Sequence, residues 1–126
     1  MARLWLLLAG INGFLAAAPG AFGTHGLVDV LDAQGMSNWM QAGQYQLFHA
    51  IAFVGVAWLS SRTPFFANVA GLFFLAGIVL FSGSLYLGDL TGLRAVQMAA
   101  PFGGGAFMLG WITIAVSSLR APLQTA

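Results

Sequence analysis

The chain has 126 residues, 60% of them hydrophobic and only 6% charged, with a formal net charge of +1. It contains no Cys, Lys or Glu, and its full charges are Arg3, Arg62, Arg94, Arg120, Asp29, Asp32 and Asp89. Soluble domains carry roughly a quarter charged residues, so this composition excludes a solvated globule. Four scattered arginines exclude a nucleic-acid surface that follows phosphates, and the lack of Cys excludes disulfides, thiolate nucleophiles and iron–sulfur ligation.

A chain of this length holds about four membrane-crossing helices of roughly 20 residues each, with little left over. The sequence therefore predicts an all-α fold, an integral membrane four-helix transmembrane bundle in one domain over 1–126. The spans are expected at about 4–24, 39–59, 65–87 and 93–118.

The first apolar run, with Arg3 ahead and Ala16-Ala17-Ala18 inside, has the outline of a secretory signal. Pro19 disfavours a cut after Ala18, and the apolar character continues through Phe22, so it reads as a retained helix. Ala9, Gly13, Ala17 and Ala21 repeat every four residues, a stripe along which another helix can come close. Gly20 and Gly23 extend this small-residue character, and Asn12 is the strongly polar residue in mid-span.

A connection over residues 27–38 carries Asp29 and Asp32 among Leu27, Val28 and Leu31, a pattern that fits a short interfacial helical turn. Asn38 followed by Gln41 resembles a capping box, and Trp39 and Trp58 are expected as interfacial anchors at the ends of the second helix. Thr63 is expected to cap the third helix, with Pro64 in its first position. That helix is apolar until Ser82-Gly83-Ser84-Leu85-Tyr86, and Gly88 to Gly92 reads as a turn. In the fourth, Ala99, Gly103, Ala106, Gly110, Thr113 and Ser117 share one face as a packing seam. Pro101, beside Gly103-Gly104-Gly105, is expected to kink this helix and free the carbonyl of Gln97.

With four spans, Arg3, Arg62 and Arg120 fall on one side, and Arg94 with all three aspartates on the other. The positive-inside rule then places both termini in the cytoplasm. By helical rise, His49 lies roughly 15 Å down from the outer end of its helix, near the midplane. Asn12, Tyr45, Gln46, Ser82, Ser84 and Tyr86 gather in the outer half, and His25 lies at the rim.

Four signatures now stand in order: Gly20-Ala21-Phe22-Gly23-Thr24-His25-Gly26, Tyr45-Gln46-Leu47-Phe48-His49, Leu80-Phe81-Ser82-Gly83-Ser84-Leu85-Tyr86 and Pro101-Phe102-Gly103-Gly104. Together with Gly110-Trp111 they resemble the YgdD-like family of small bacterial inner-membrane proteins, related to eukaryotic transmembrane protein 256. The resemblance covers nearly the whole chain and implies a four-span bundle of the cell inner membrane. The family has no established catalytic set to carry over. Thr24 and Ala100 depart from it, which commonly has Ala and Thr at these places.

Two readings follow. In one, Asn12, His25, Tyr45, Gln46, His49, Ser82, Ser84 and Tyr86 line a polar outer-half cavity that binds or passes a small molecule, a lipid headgroup or protons, since intramembrane ionisable residues are functional suspects. In the other, they bond across helices and fix packing alongside Gly13, Gly20, Gly23, Gly83, Pro101, Gly103, Gly104 and Gly110. The chain then serves as a homo-oligomer or a subunit of a larger membrane complex. His25 and His49 differ in depth by roughly a dozen ångströms, too far for one metal, and a rim pair of His25 with Asp29 remains. No mid-span carboxylate supplies a proton relay or orients a serine–histidine pair. The expectation is no enzyme, no cofactor, no metal, and the lipid bilayer as the surrounding partner.

Overall fold

The computed structural model describes residues 1–120. Its elements are α1 (Ala2–Gly26), α2 (Ala33–Leu59), α3 (Pro64–Gly77), a π-helical segment (Ile78–Gly83), α4 (Ser84–Thr91), a 3-10 segment (Arg94–Ala99) and α5 (Ala100–Arg120). The π segment joins α3 and α4 into one rod, and the 3-10 segment extends α5, so the described chain forms four rods. Among the described residues every regular element is helical.

Three rods, Ala2–Gly26, Pro64–Thr91 and Arg94–Arg120, are long and apolar enough to cross a membrane. The fourth, α2, is 27 residues long but carries Gln41, Gln44, Gln46 and His49, which lower its hydropathy. Large apolar side chains face outward throughout: Phe14 is 70% exposed, Phe102 75% and Val79 62%. An apolar surface on this scale suits lipid and would drive association in water.

Packing pairs α1 with α2 and α3 with α5, and α2 meets the third rod along α3, the π segment and α4. The end that holds the chain start has a large-residue core of Trp5, Phe53, Val56, Phe74 and Phe107. Trp5 stacks on Phe53 at 5.6 Å between centroids, and its indole donates to Asn68 Oδ1 at 3.0 Å. Toward the opposite end the core thins to Ala42, Leu85 and Ala100, and polar contacts take over.

Several boundaries differ from the sequence expectation. α2 begins at Ala33 rather than near Trp39, because Asp32 caps it by accepting from the Gly35 N–H at 2.7 Å. Asn38 is not a cap; it accepts from Gln34. Trp39 is no interfacial anchor: it is 5% exposed, and its indole donates to the Pro19 carbonyl at 2.9 Å. Trp58 at the other end is exposed and lies under the Arg62 guanidinium at 3.8 Å. Thr63 precedes α3 with Pro64 in its first turn, but its hydroxyl makes no capping bond. The third rod continues to Thr91, so most of the expected turn is helix, and Gly92 ends it at φ 73°, a left-handed conformation suited to glycine. Pro101 stands second in α5, where a helix needs no donor. The Gln97 carbonyl accepts from the Ala100 N–H, so it is not freed and no mid-helix kink arises.

The small-residue faces also resolve differently. On α1 the buried line is Trp5, Ala9, Asn12, Ala16 and Gly23; Ala17 and Ala21 face outward. A side-chain carbon at Gly23, Gly103 or Gly110 would overlap Trp39, the Phe81 backbone or Phe74 respectively. Gly71, Gly77 and Gly88 fit equally closely under Trp5, Phe107 and Gln97. Gly13, Gly20 and Gly104 face open space, Gly83 meets only ordinary contact, and Pro101 is exposed. These four glycines and the proline therefore do not hold rods together within one chain.

Gly103 and Gly104 give a direct test in adjacent positions. Gly103→Ala pushes α5 off the π segment and is expected to destabilise by about 1–3 kcal/mol. Gly104→Ala gains helix propensity, about 0.5–1 kcal/mol. Unfolding titrations in mixed detergent micelles should show opposite signs.

Candidate functional site

The polar residues form two separate arrangements. The first ties three rods. Asn12 on α1, 7% exposed, donates to the Leu8 carbonyl one turn back at 2.9 Å. Its Oδ1 accepts from Gln46 Nε2 on α2 at 3.2 Å, and Gln46 Oε1 accepts from the Tyr86 hydroxyl on α4 at 3.1 Å. The Tyr86 ring meets Trp39 edge-on at 4.7 Å, and Trp39 is itself bonded to α1. The tyrosine hydroxyl, both amide oxygens and one hydrogen of each amide are thus used inside the protein. Ser82 is fully buried and donates to the Ala42 carbonyl of α2 at 2.8 Å, a contact the π segment makes by turning Ser82 and Ser84 both inward. Ser84 donates to Phe81 O at 3.0 Å.

His49 centres the second arrangement. Nδ1 lies 2.7 Å from the Tyr45 carbonyl, and the Trp111 indole donates to Nε2 at 3.1 Å. A carbonyl only accepts and an indole N–H only donates, so Nδ1 carries the hydrogen and Nε2 is bare. That is a neutral imidazole with both nitrogens in use. Its ring is stacked 3.6 Å from Phe107 and is 4% exposed. Tyr45 shares the face of His49 at 6.3 Å and leans on Phe81 at 4.7 Å. Its hydroxyl makes no hydrogen bond among the described residues, and the residue is 37% exposed. Beside it a groove of about 530 Å³, lined by Gln44, Tyr45, Phe48, His49, Ile51 and Trp111, opens on the outer surface. It continues past Phe48 and Ile51 into an apolar groove of about 490 Å³ that reaches Trp58 and Leu59.

Of the eight residues singled out from sequence, the structure joins Asn12, Gln46 and Tyr86. It places Ser82 and Ser84 on backbone carbonyls and seats His49, with Tyr45 against it, one turn along α2 from Gln46 without a bond to it. His25 is exposed at the end of α1 and stands apart from both groups. Sequence reasoning missed Trp111, which completes the His49 pair, and Asn68, which receives Trp5. It also missed a rim cluster in which Asp89 Oδ1 accepts from Gln97 at 2.8 Å and Asn38 at 3.5 Å. A signal existed for the first two: an indole N–H brought into a dry core needs an acceptor, and an apolar chain offers few. An exposed pair, Arg94 with Asp32 at 3.8 Å, brings the two loops of that end together.

A family model described as a protein of unknown function (DUF423) matches residues 19–104, which include Tyr45 to His49 and Ser82 to Tyr86. The chain is 39% identical over 120 residues to the UPF0382 inner membrane protein YgdD of Escherichia coli K12, covering 94% of this chain and 91% of that one. It belongs to this family. A UPF0382 membrane protein of Haemophilus influenzae is 38% identical over 122 residues, 96% of this chain and 98% of the relative. The UPF0382 membrane protein YwdK of Bacillus subtilis is 37% identical over 120 residues, 94% and 98% of the two chains. No solved structure matches. The protein is thus a membrane protein of a family without an assigned activity, in agreement with its apolar outer surface.

The Gln46 arrangement sets an expectation for stability. Gln46→Leu leaves the Tyr86 hydroxyl and Asn12 oxygen without partners and should cost about 1–3 kcal/mol. Tyr86→Phe, which removes one end only, should cost about 0.6 kcal/mol, typical of such bonds in bilayers. Detergent unfolding curves followed by circular dichroism separate the two. For His49, nitrogen NMR on labelled protein should report a protonated Nδ1 and a bare Nε2.

Proposed function

We propose that this protein is a four-span bundle of the bacterial inner membrane with both termini cytoplasmic, acting as a structural or accessory membrane component and not as an enzyme. The observation that carries this reading is the pairing of six polar side chains in the interior of the bundle. Tyr86, Gln46, Asn12, His49, Ser82 and Ser84 all have partners within the chain. Register is the role such bonds serve when lipid supplies no hydrophobic drive between helices. Both serine hydroxyls are committed to carbonyls and both His49 nitrogens are in use, which leaves no nucleophile–base pair ready for acyl or phosphoryl chemistry.

The arginine bias supports the orientation. Trp5 bonded to Asn68 puts Arg3 and the Arg62 turn at one end, and the Asp32–Arg94 pair puts the other two loops at the opposite end. In this arrangement α2 also crosses, its Gln46 amide and His49 imidazole covered by its neighbours.

A second reading rests on one further observation, the Tyr45 hydroxyl open to the groove between α2 and α5. A lipid-soluble guest with a hydrogen-bonding group would lie there, its apolar part running toward Trp58.

Topology and guest binding are tested separately. The native chain has no Cys, so Val28→Cys and Thr91→Cys should react with an impermeant maleimide on intact spheroplasts, and Ser61→Cys only after permeabilisation. The reverse pattern would overturn the orientation. Native mass spectrometry from mild detergent should release a chain without a small-molecule guest. A stoichiometric guest that disappears in Tyr45→Phe would favour the groove instead.

A further inference from the structure

Helix α2 has two opposite faces with different fates. Its inward face, Trp39, Ala42, Gln46, His49, Phe53 and Val56, is buried within the chain. The opposite face follows a heptad. Ser37, Gln44, Ile51 and Trp58 are spaced by seven, Met40, Leu47 and Val54 fall three residues after the first three of them, and all are exposed. An exposed apolar face is ordinary for a helix in lipid and by itself decides nothing. Gln44 is different. It lies eleven residues after Ala33 on a 27-residue helix, about 16 Å along the axis and close to the middle of the rod. It sits in the centre of the outward face and makes no hydrogen bond among the described residues. An amide turned toward hydrocarbon at this depth is unfavourable unless something bonds it.

We infer that a second copy of this chain covers the Gln44 face, through a parallel, two-fold pairing of α2 with α2 across the heptad seam. The chemistry selects this occupant. A carboxamide carries both donor and acceptor, so it is complementary to itself. Two copies inserted in the same orientation can be related only by an axis along the membrane normal. Around that axis α2 is parallel to its mate, and the position of the seam that holds Gln44 meets the same position opposite. Each amide then donates to the other's oxygen. A carboxamide in the middle of a seam that is apolar from Leu47 onward is the kind of device that fixes register and number of strands in coiled coils; Ser37, near the start of the rod, is the other polar seam residue. Small residues flank the contact: Gly43 and Gly55 stand at the seam's edges, and Gly20 of α1 lines the shallow groove along Met40, Gly43 and Leu47. Open space above Gly20 and Gly55 leaves room for the second copy's side chains. This inference rests on α2 crossing the membrane as proposed above.

The test uses the full chain in proteoliposomes, with cysteines introduced singly. Under copper-phenanthroline oxidation, with Gln44 retained, Ile51→Cys should form dimers most readily and Leu47→Cys less so. Leu72→Cys on the outward face of α3 should not. Without cysteines, fluorescence energy transfer between labelled copies should show Gln44→Leu weakening association about tenfold, while Gln44→Asn retains it. Gln44 has no hydrogen-bond partner among the described residues, so its replacement removes no bond of the described fold. A protein monomeric at every protein-to-lipid ratio, or cross-linking as strong at Leu72→Cys as on the seam, overturns the inference. So does Ile51→Cys joining only a different polypeptide in native membranes. Maleimide labelling of Val28→Cys and Ser61→Cys from the same side would instead mean that α2 does not cross, a failure of the topology distinguishable from a failure of the seam.

Discussion

Gln46 holds the arrangement of this protein together. Its amide receives Tyr86 from one rod and donates to Asn12 on another, so a single side chain sets the relative depth of three helices. In water, burial of apolar area would do most of this work and a displaced bond would be replaced by solvent. Between helices in lipid neither applies: apolar burial is nearly neutral, and a lost bond leaves polar atoms in hydrocarbon. A shift of α2 by one residue along its axis would break both contacts at once. The bond energies are small, yet the penalty for the wrong register is large, and that asymmetry specifies the structure.

The two halves of the molecule use different means to the same end. Where the chain starts, Trp5, Phe53, Phe74 and Phe107 fill the interior, and glycines at 71, 77 and 110 let those rings lie against bare backbone. Toward the other end the buried residues shrink to alanine and serine, and hydrogen bonds carry the specificity. His49 stands at the boundary, stacked on Phe107 like a core aromatic and bonded to Trp111 like a polar one. The π segment lies at the same level, where α5 crosses close over Phe81. One extra residue per turn there brings Ser82 to the Ala42 carbonyl while Leu85 still points inward.

Much of this was legible in the sequence. Charge scarcity and four apolar runs give helices of nearly the right extent, and the quartet Asn12, Gln46, Ser82 and Tyr86 stands out against that background. What was not legible depends on partners remote in the chain. Whether Gly13 or Gly23 is the close-packing glycine is decided by where Trp39 falls, and Trp39 falls inside because α2 begins six residues earlier than its Asn38–Gln41 pattern implies. Pro101 reads as a kink only if the helix is taken to start at Leu93. A 3-10 lead-in up to Ala99 moves it into the first turn, where proline is at ease. Tyr45 and His49, four residues apart, share one face of α2, but His49 packs inward beside Gln46 while Tyr45 lies at the exposed edge, a difference that period counting alone could not assign.

The polarity of α2 bears on how the protein is made. A segment with four glutamines and a histidine partitions poorly into lipid by itself, whereas α1 offers Asn12 and the Pro19 carbonyl as partners. In the proposed four-span arrangement the first two helices therefore enter the bilayer as a hairpin, with Gln46 and Trp39 already engaged. The Tyr86 bond closes later, when the third rod arrives. On that proposed arrangement, insertion is expected to follow the order of the hydrogen bonds along the chain, and glycosylation-based insertion assays on α2 with and without α1 would read that dependence directly.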